Sequence, residues 1–255
     1  MLTLLSPAKK LLAINKPYTQ NTTLPQFDSK TLELVSLMKS KTKEDIAGLM
    51  SLSQALATLN FDRYQEFVLQ DPQLSQTYPA LLLFQGDVYQ SLQAACWDNT
   101  SIEYSQCHLA ILSGLYGLLR PLDRIQPYRL EMGVRLANPC GNNLYNFWQT
   151  SITSALNQQL AEHDNPVLIN LASTEYFKAV DEKKINYPTV TINFYEKKNT
   201  ELKMIGIHAK KARGAMARFL MRNQIDDLET LKTFTDLGYR FNHDSLSERH
   251  IDFVR

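Results

Sequence analysis

Thr189-Val190-Thr191-Ile192-Asn193-Phe194-Tyr195 alternates apolar and polar side chains residue by residue. A period of two places Val190, Ile192 and Phe194 on one face of a β-strand. The polar connection Glu196–Thr200 leads into Glu201–His208, and the two runs together read as a β-hairpin. Downstream, Lys210–Arg222 switches to helical spacing, and short strands are expected at Gly238–Phe241 and His250–Val254. Upstream, Pro166 bounds a strand at Val167–Leu171, a short helix follows over Thr174–Val180, and a longer helix precedes them over Asn143–Ala161. Met1–Leu5 reads as a short buried strand entering the loop Ser6-Pro7-Ala8-Lys9, and Lys16–Pro25 reads as another loop. Helical spacing then covers Asp28–Lys39 and Lys43–Leu59, with Thr42 as N-cap of the second and Asp45 completing the cap. Shorter helices are expected at Phe61–Leu69, Tyr78–Phe84, Val88–Ala95 and Ser101–Leu112. Strands and helices do not alternate in regular βαβ units, which disfavours a doubly wound sheet. The expectation is a mixed α/β (α+β) single domain over residues 1–255, with a mixed sheet, one hairpin and many helices.

The chain has 255 residues, 44% of them hydrophobic and 10% aromatic, which excludes general disorder. The apolar run Leu2–Leu5 is too short for a membrane span, and its lysines, Lys9 and Lys10, follow it rather than precede it as in a signal peptide. A cytoplasmic protein without a membrane partner is expected. Cys96, Cys107 and Cys140 are odd in number and lack CxxC spacing, so plain thiols are expected. Glycine-rich nucleotide signatures, HExxH and GxSxG are missing from the sequence, and no metal or cofactor is expected.

The net charge of +1 hides an uneven distribution. Leu202–Gln224 carries Lys203, Lys210, Lys211, Arg213, Arg218 and Arg222 and no acid, whereas the segment after it is acidic. On a helical wheel Lys211, Arg218 and Arg222 fall within about 40° of one another, a stripe roughly 16 Å long that suits consecutive phosphates. A second candidate lies in Leu112–Pro121, where Gly114 and Gly117 could form the turn of a helix–hairpin–helix, whose backbone N–H groups grip phosphate without reading bases. Lys41-Thr42 offers a competing turn between two helices. Arg120, Arg124, Arg129 and Arg135 cluster nearby against Asp123 and Glu131. Double-stranded or structured DNA is therefore one expected partner, and no obligate protein partner is evident. The alternative is an enzyme acting on a nucleotide or phosphorylated small molecule. Ser6, Lys9, Asp87, Arg129, Glu131, Ser173 and Lys210 would then converge in one cleft, a lysine holding phosphate and Asp87 or Glu131 serving as acid–base.

Several segments carry a family resemblance: Leu4-Leu5-Ser6-Pro7-Ala8-Lys9, Gly86-Asp87-Val88-Tyr89, Leu112–Asp123, Pro127–Gly133, Ile169–Phe177 and Ala209–Gly214. In this order they resemble the bacterial YaaA family of peroxide stress proteins from end to end. The resemblance implies a cytosolic protein that binds DNA through a basic cleft with a helix–hairpin–helix, in an unusual α/β architecture, and limits iron-driven damage. Lys9, Arg120, Arg129, Lys210, Lys211 and Arg213 are the basic residues it carries over. With Arg124, Arg218 and Arg222 they make up the expected DNA-contacting set.

Overall fold

The computed structural model describes residues 1–12, 21–68, 77–199, 201–242 and 249–255. Residues 16–20 of the expected loop, Leu69 of an expected helix, and Asp244 and Glu248 of the acidic segment lie outside them.

The chain opens with β1 (Leu2–Leu5), the short β2 (Lys10–Leu11) and three helices, α1 (Asp28–Lys39), α2 (Lys43–Met50) and α3 (Gln54–Gln65). Next come β3 (Tyr78–Pro79), α4 (Ala80–Leu83), β4 (Phe84–Gln85), α5 (Asp87–Leu92) and α6 (Asn99–His108). The central stretch holds β5 (Leu109–Ser113), β6 (Gly117–Leu119), β7 (Arg124–Ile125) and α7 (Leu144–Ala161). The rest comprises β8 (Leu168–Asn170), α8 (Thr174–Phe177), β9 (Thr189–Lys198), β10 (Glu201–Lys203), α9 (Gly206–Arg222), α10 (Leu228–Leu231), β11 (Arg240–Phe241) and β12 (His250–Val254).

Eight strands form one mixed sheet in the order β11-β12-β9-β8-β1-β5-β6, with β10 paired to β9. The five strands β12, β9, β8, β1 and β5 run parallel, and β11, β6 and β10 are antiparallel additions. The parallel centre explains the sequence pattern. β1, β5 and β8 are buried at every residue, as strands covered on both faces must be. β9 alternates over Thr189–Phe194, with Val190, Ile192 and Phe194 buried as expected, and β12 alternates likewise with Ile251 and Phe253 buried. Helices α6 and α9 pack on this sheet and on each other, α5 packs on α9, and α7 packs on β6.

Four local expectations are corrected. The run Lys43–Leu59 is two helices, because Ser51 adopts a left-handed φ of 52° and Ser53 caps a new helix at Leu56 N. Ser101–Leu112 is helix only to His108, and its apolar end Leu109–Leu112 is the strand β5. The hairpin after β9 is short: β10 stops at Lys203 and the helix begins at Gly206. Gly114 and Gly117 do not join two helices. They form the turn of the β5–β6 hairpin, in which Ser113 pairs with Gly117. Gly117 takes φ +73°, and a Cβ there would meet the Trp148 ring 2.6 Å away. The competing turn at Lys41-Thr42 does join α1 to α2, with Thr42 and Asp45 forming a reciprocal cap.

Candidate functional site

β1 and β8 are neighbours whose chains leave in opposite directions, β1 toward β5 and β8 toward β9. In an open parallel sheet such a reversal leaves a crevice beyond the carboxyl ends of the two strands. The loops Ser6–Lys9 and Leu171–Ser173 emerge there. Ser173 donates its backbone N–H to Ser6 Oγ at 2.9 Å, and Ser6 Oγ lies 3.3 Å from Ser173 Oγ. Tyr89 fixes the first loop by donating its hydroxyl to the Ser6 carbonyl at 2.9 Å.

The third wall comes from α9. Gly214 lies against the backbone of Val88, and a Cβ there would overlap the Val88 carbonyl oxygen. This close approach brings the first turn of α5, with Asp87, beside Lys210 and Arg213. The result is a cleft of about 310 Å³ lined by Ser6–Lys10, Gln85–Tyr89, Leu171, Ser173, Glu175, Tyr176, Lys210 and Arg213.

Its charges are unevenly satisfied. Lys9 Nζ lies 3.1 Å from Glu131 Oε1, which also accepts from Arg129 Nε at 3.0 Å. Glu131 Oε2 is buried and has no hydrogen-bond partner among the described residues. Arg213 forms no ion pair or hydrogen bond among the described residues, its Nε is buried, and burial pulls its guanidinium below the ordinary value. Lys210 and Asp87 are likewise without partners among the described residues. Burial pushes the phenols of Tyr89 and Tyr176 well up, so both stay protonated. The cleft continues past Lys9 and Glu175 into an open depression of about 680 Å³ that includes Glu131, Gly133 and Arg135.

Of the alternative small-molecule set, Ser6, Asp87 and Ser173 line this cleft, and Glu131 borders it through Lys9. The basic set divides. Lys9, Lys210 and Arg213 face the cleft, with Arg129 behind Lys9. Arg120 instead binds Asp123 at 2.9 Å and the Leu24 carbonyl, and Arg124 donates to Thr77 Oγ1. Arg218 binds Asp236 and Gln93, and with Arg222 it lines a separate depression beside Phe219 and Asn223. Lys211 is exposed. The wheel stripe therefore does not look into the cleft, and the basic residues that α9 turns toward it are Lys210 and Arg213, one helical turn apart. Sequence reading did not single out Glu175, which follows Ser173 by two positions and accepts from Gly133 N at 3.2 Å. Its signal was position alone, inside the segment Ile169–Phe177.

Outside the cleft, one cluster of possible metal ligands occurs among the described residues. His108, His163 and Asp226 bring ligand atoms within 4.8 Å of one another. Asp226 is already engaged by the Met1 ammonium. No helix is long and apolar enough to cross a membrane, among the described residues.

A mostly parallel α/β sheet with a cleft at its strand reversal places the chain in the open α/β-sheet class. The comparisons place the chain more closely: the family described as peroxide stress protein YaaA matches residues 1–245, and the chain belongs to that family. It is 63% identical to a UPF0246 protein of Legionella pneumophila (strain Lens), over 100% of this chain and 99% of the relative. A UPF0246 protein of Caulobacter vibrioides (strain NA1000 / CB15N) is 47% identical over 94% of this chain and 93% of its own length. One from Bordetella petrii is 45% identical, covering 100% and 99% respectively.

Proposed function

We propose that this peroxide stress protein works, in the cytoplasm, by binding a phosphorylated ligand in the cleft between β1, β8 and α9, and that the ligand is a nucleotide or another small phosphorylated molecule. The observation that carries this reading is Arg213, a desolvated guanidinium with no protein partner among the described residues, facing a cleft beside Lys210 and Ser173. An unpaired, partly desolvated charge is costly, and a bound phosphate offsets that cost with charge-assisted hydrogen bonds. Asp87 stands in the same cleft as the acid–base candidate for a reaction on the ligand. Titration of the full chain with inorganic phosphate and 5′-nucleotides, followed by thermal shift, tests the reading. Stabilisation that disappears in Arg213→Ala is the expected result. Equal behaviour of the two proteins would remove the role assigned to Arg213.

A second reading has the rim of the cleft and the exposed side of α9 beside it grip DNA largely independently of sequence and shield it from iron-dependent damage. Lys10, Lys210 and Lys211 support it, being exposed and without partners among the described residues. Binding to a mixed-sequence duplex should then weaken with salt at a slope near −0.9 per phosphate neutralised. Lys210→Glu with Lys211→Glu should weaken it. A duplex that binds both forms alike, or neither at low salt, would leave only the small-ligand reading.

A further inference from the structure

At the amino end of β1, the opposite end of that strand from the cleft, donor groups from four distant parts of the chain meet. Met1 brings its amino nitrogen, α6 ends on His108, His163 stands two residues past α7, and Asp226 stands four past α9. The ligand atoms of His108, His163 and Asp226 lie within 4.8 Å of one another. His108 Nδ1 is 3.0 Å from the Met1 carbonyl oxygen and 3.9 Å from Asp226 Oδ1. His163 Nδ1 is 3.4 Å from the Met1 nitrogen, and the Met1 ammonium donates to Asp226 Oδ1. Ligands bonded to one ion at about 2.0–2.2 Å stand roughly 2.9–3.6 Å from their neighbours, so these groups are already spaced much like a coordination shell.

The surroundings suit a cation and hold the ligands in place. His108, His163 and Asp226 stand at or just beyond the carboxyl ends of three helices, where helix dipoles favour positive charge. Burial pulls the Met1 ammonium from 8.0 down to about 6 and lowers both imidazoles, so near neutral pH these nitrogens carry lone pairs rather than extra protons. The Tyr104 ring stacks on His108 at 3.8 Å, and its hydroxyl donates to the Ile225 carbonyl at 3.2 Å. Asn165 Nδ2 donates to the Asp226 carbonyl at 2.7 Å. Contacts of this kind orient metal ligands. The Asp226 side chain is 34% exposed, which gives an ion a way in from solvent. We infer that this end of the sheet is a structural metal site, where a divalent first-row transition ion such as zinc is held by His108, His163, Asp226 and the Met1 amino group. Binding releases the ammonium proton to solvent. Nitrogen donors select such an ion over magnesium and calcium, which take oxygen ligands. The ion pins the start of β1 to the exits of α6, α7 and α9, and the site stands or falls independently of the phosphate reading.

The test uses the untagged full-length chain, stripped of metal with a chelator and titrated calorimetrically with zinc chloride. One ion should bind per chain and raise the melting temperature, whereas magnesium and calcium should do neither. His108→Ala and His163→Ala should each weaken zinc binding by more than the roughly 10–100-fold that loss of a supporting hydrogen bond costs. Replacing Cys96, Cys107 and Cys140 together by serine should leave zinc binding unchanged, since no thiol belongs to the site. Should the histidine variants fail to fold, cobalt(II) loaded into the unaltered chain decides alone. Visible d–d bands without a thiolate charge-transfer band support the inference, and a thiolate band overturns it. Zinc that does not bind, that binds equally after loss of either histidine, or that is lost with the cysteines would overturn it too, leaving Met1 and Asp226 as an ion pair alone.

Discussion

Arg120 and Arg213 carry the same guanidinium into different surroundings. Arg120 meets a fully buried carboxylate three residues along, Asp123, and ends as a structural ion pair. Arg213 meets none among the described residues and lines the cleft instead. The neighbouring carboxylates are visible in the sequence, Asp123 and Glu131 standing within three residues of Arg120 and Arg129, yet the sequence reading places both arginines among the DNA-contacting residues. The pairing of Arg218 with Asp236 was not visible, because it spans 18 positions and depends on where the chain turns after α9. Gly214 shows the same limit. A lone glycine inside a helical run marks a weak point of the helix or a place of close approach, and the structure uses Gly214 to let α5 touch α9. Gly214→Ala should therefore cost about 1–3 kcal/mol through overpacking. It should also weaken phosphate binding, since α5 and α9 separate where the cleft is built. A urea midpoint unchanged by the substitution would contradict that role.

Helix α2 illustrates how much a single element reveals of itself. Its start was readable from Thr42 and Asp45, because a cap is made by residues three apart and needs no tertiary partner. Thr42→Ala should lower stability by about 1 kcal/mol, visible as a shift in the urea midpoint with the slope unchanged. A shift several times larger would mean that the α1–α2 turn carries tertiary contacts as well. The end of α2 was not readable, since a left-handed serine at Ser51 leaves no mark in the hydrophobic pattern. Leu109–Leu112 fails for a related reason. A short apolar run buried on both sides looks alike in a helix and in a parallel strand. The expected helix–hairpin–helix around Gly114 and Gly117 failed with it, because β5 and β6 stand where those helices would be.

Across the whole molecule, the mixed α/β class was legible and the parallel centre was not, since the pairing of β1 with β8 joins residues 2–4 to residues 168–170. The same long-range closure gathers Met1, His108, His163 and Asp226 at the opposite end of β1. Burial, reinforced by the Met1 ammonium and His108, pulls His163 from 6.5 down to about 4, and burial lowers His108 as well. Between pH 6.5 and 4 the unfolded chain therefore binds more protons than the folded one, and stability must fall as pH drops through that window. His163→Asn should flatten this dependence, measured as urea midpoints at pH 6.5 and 4.5. An unchanged slope would place the acid sensitivity elsewhere.

Ser6 and Ser173 are tied together across 167 positions, and Arg213 closes the cleft from 40 positions further on. During synthesis the ribosome releases the first wall with the opening residues of the sequence and the last only after Arg213 has been added. A nascent fragment that ends before Arg213 therefore lacks one wall of the cleft, even where its first strands already pair.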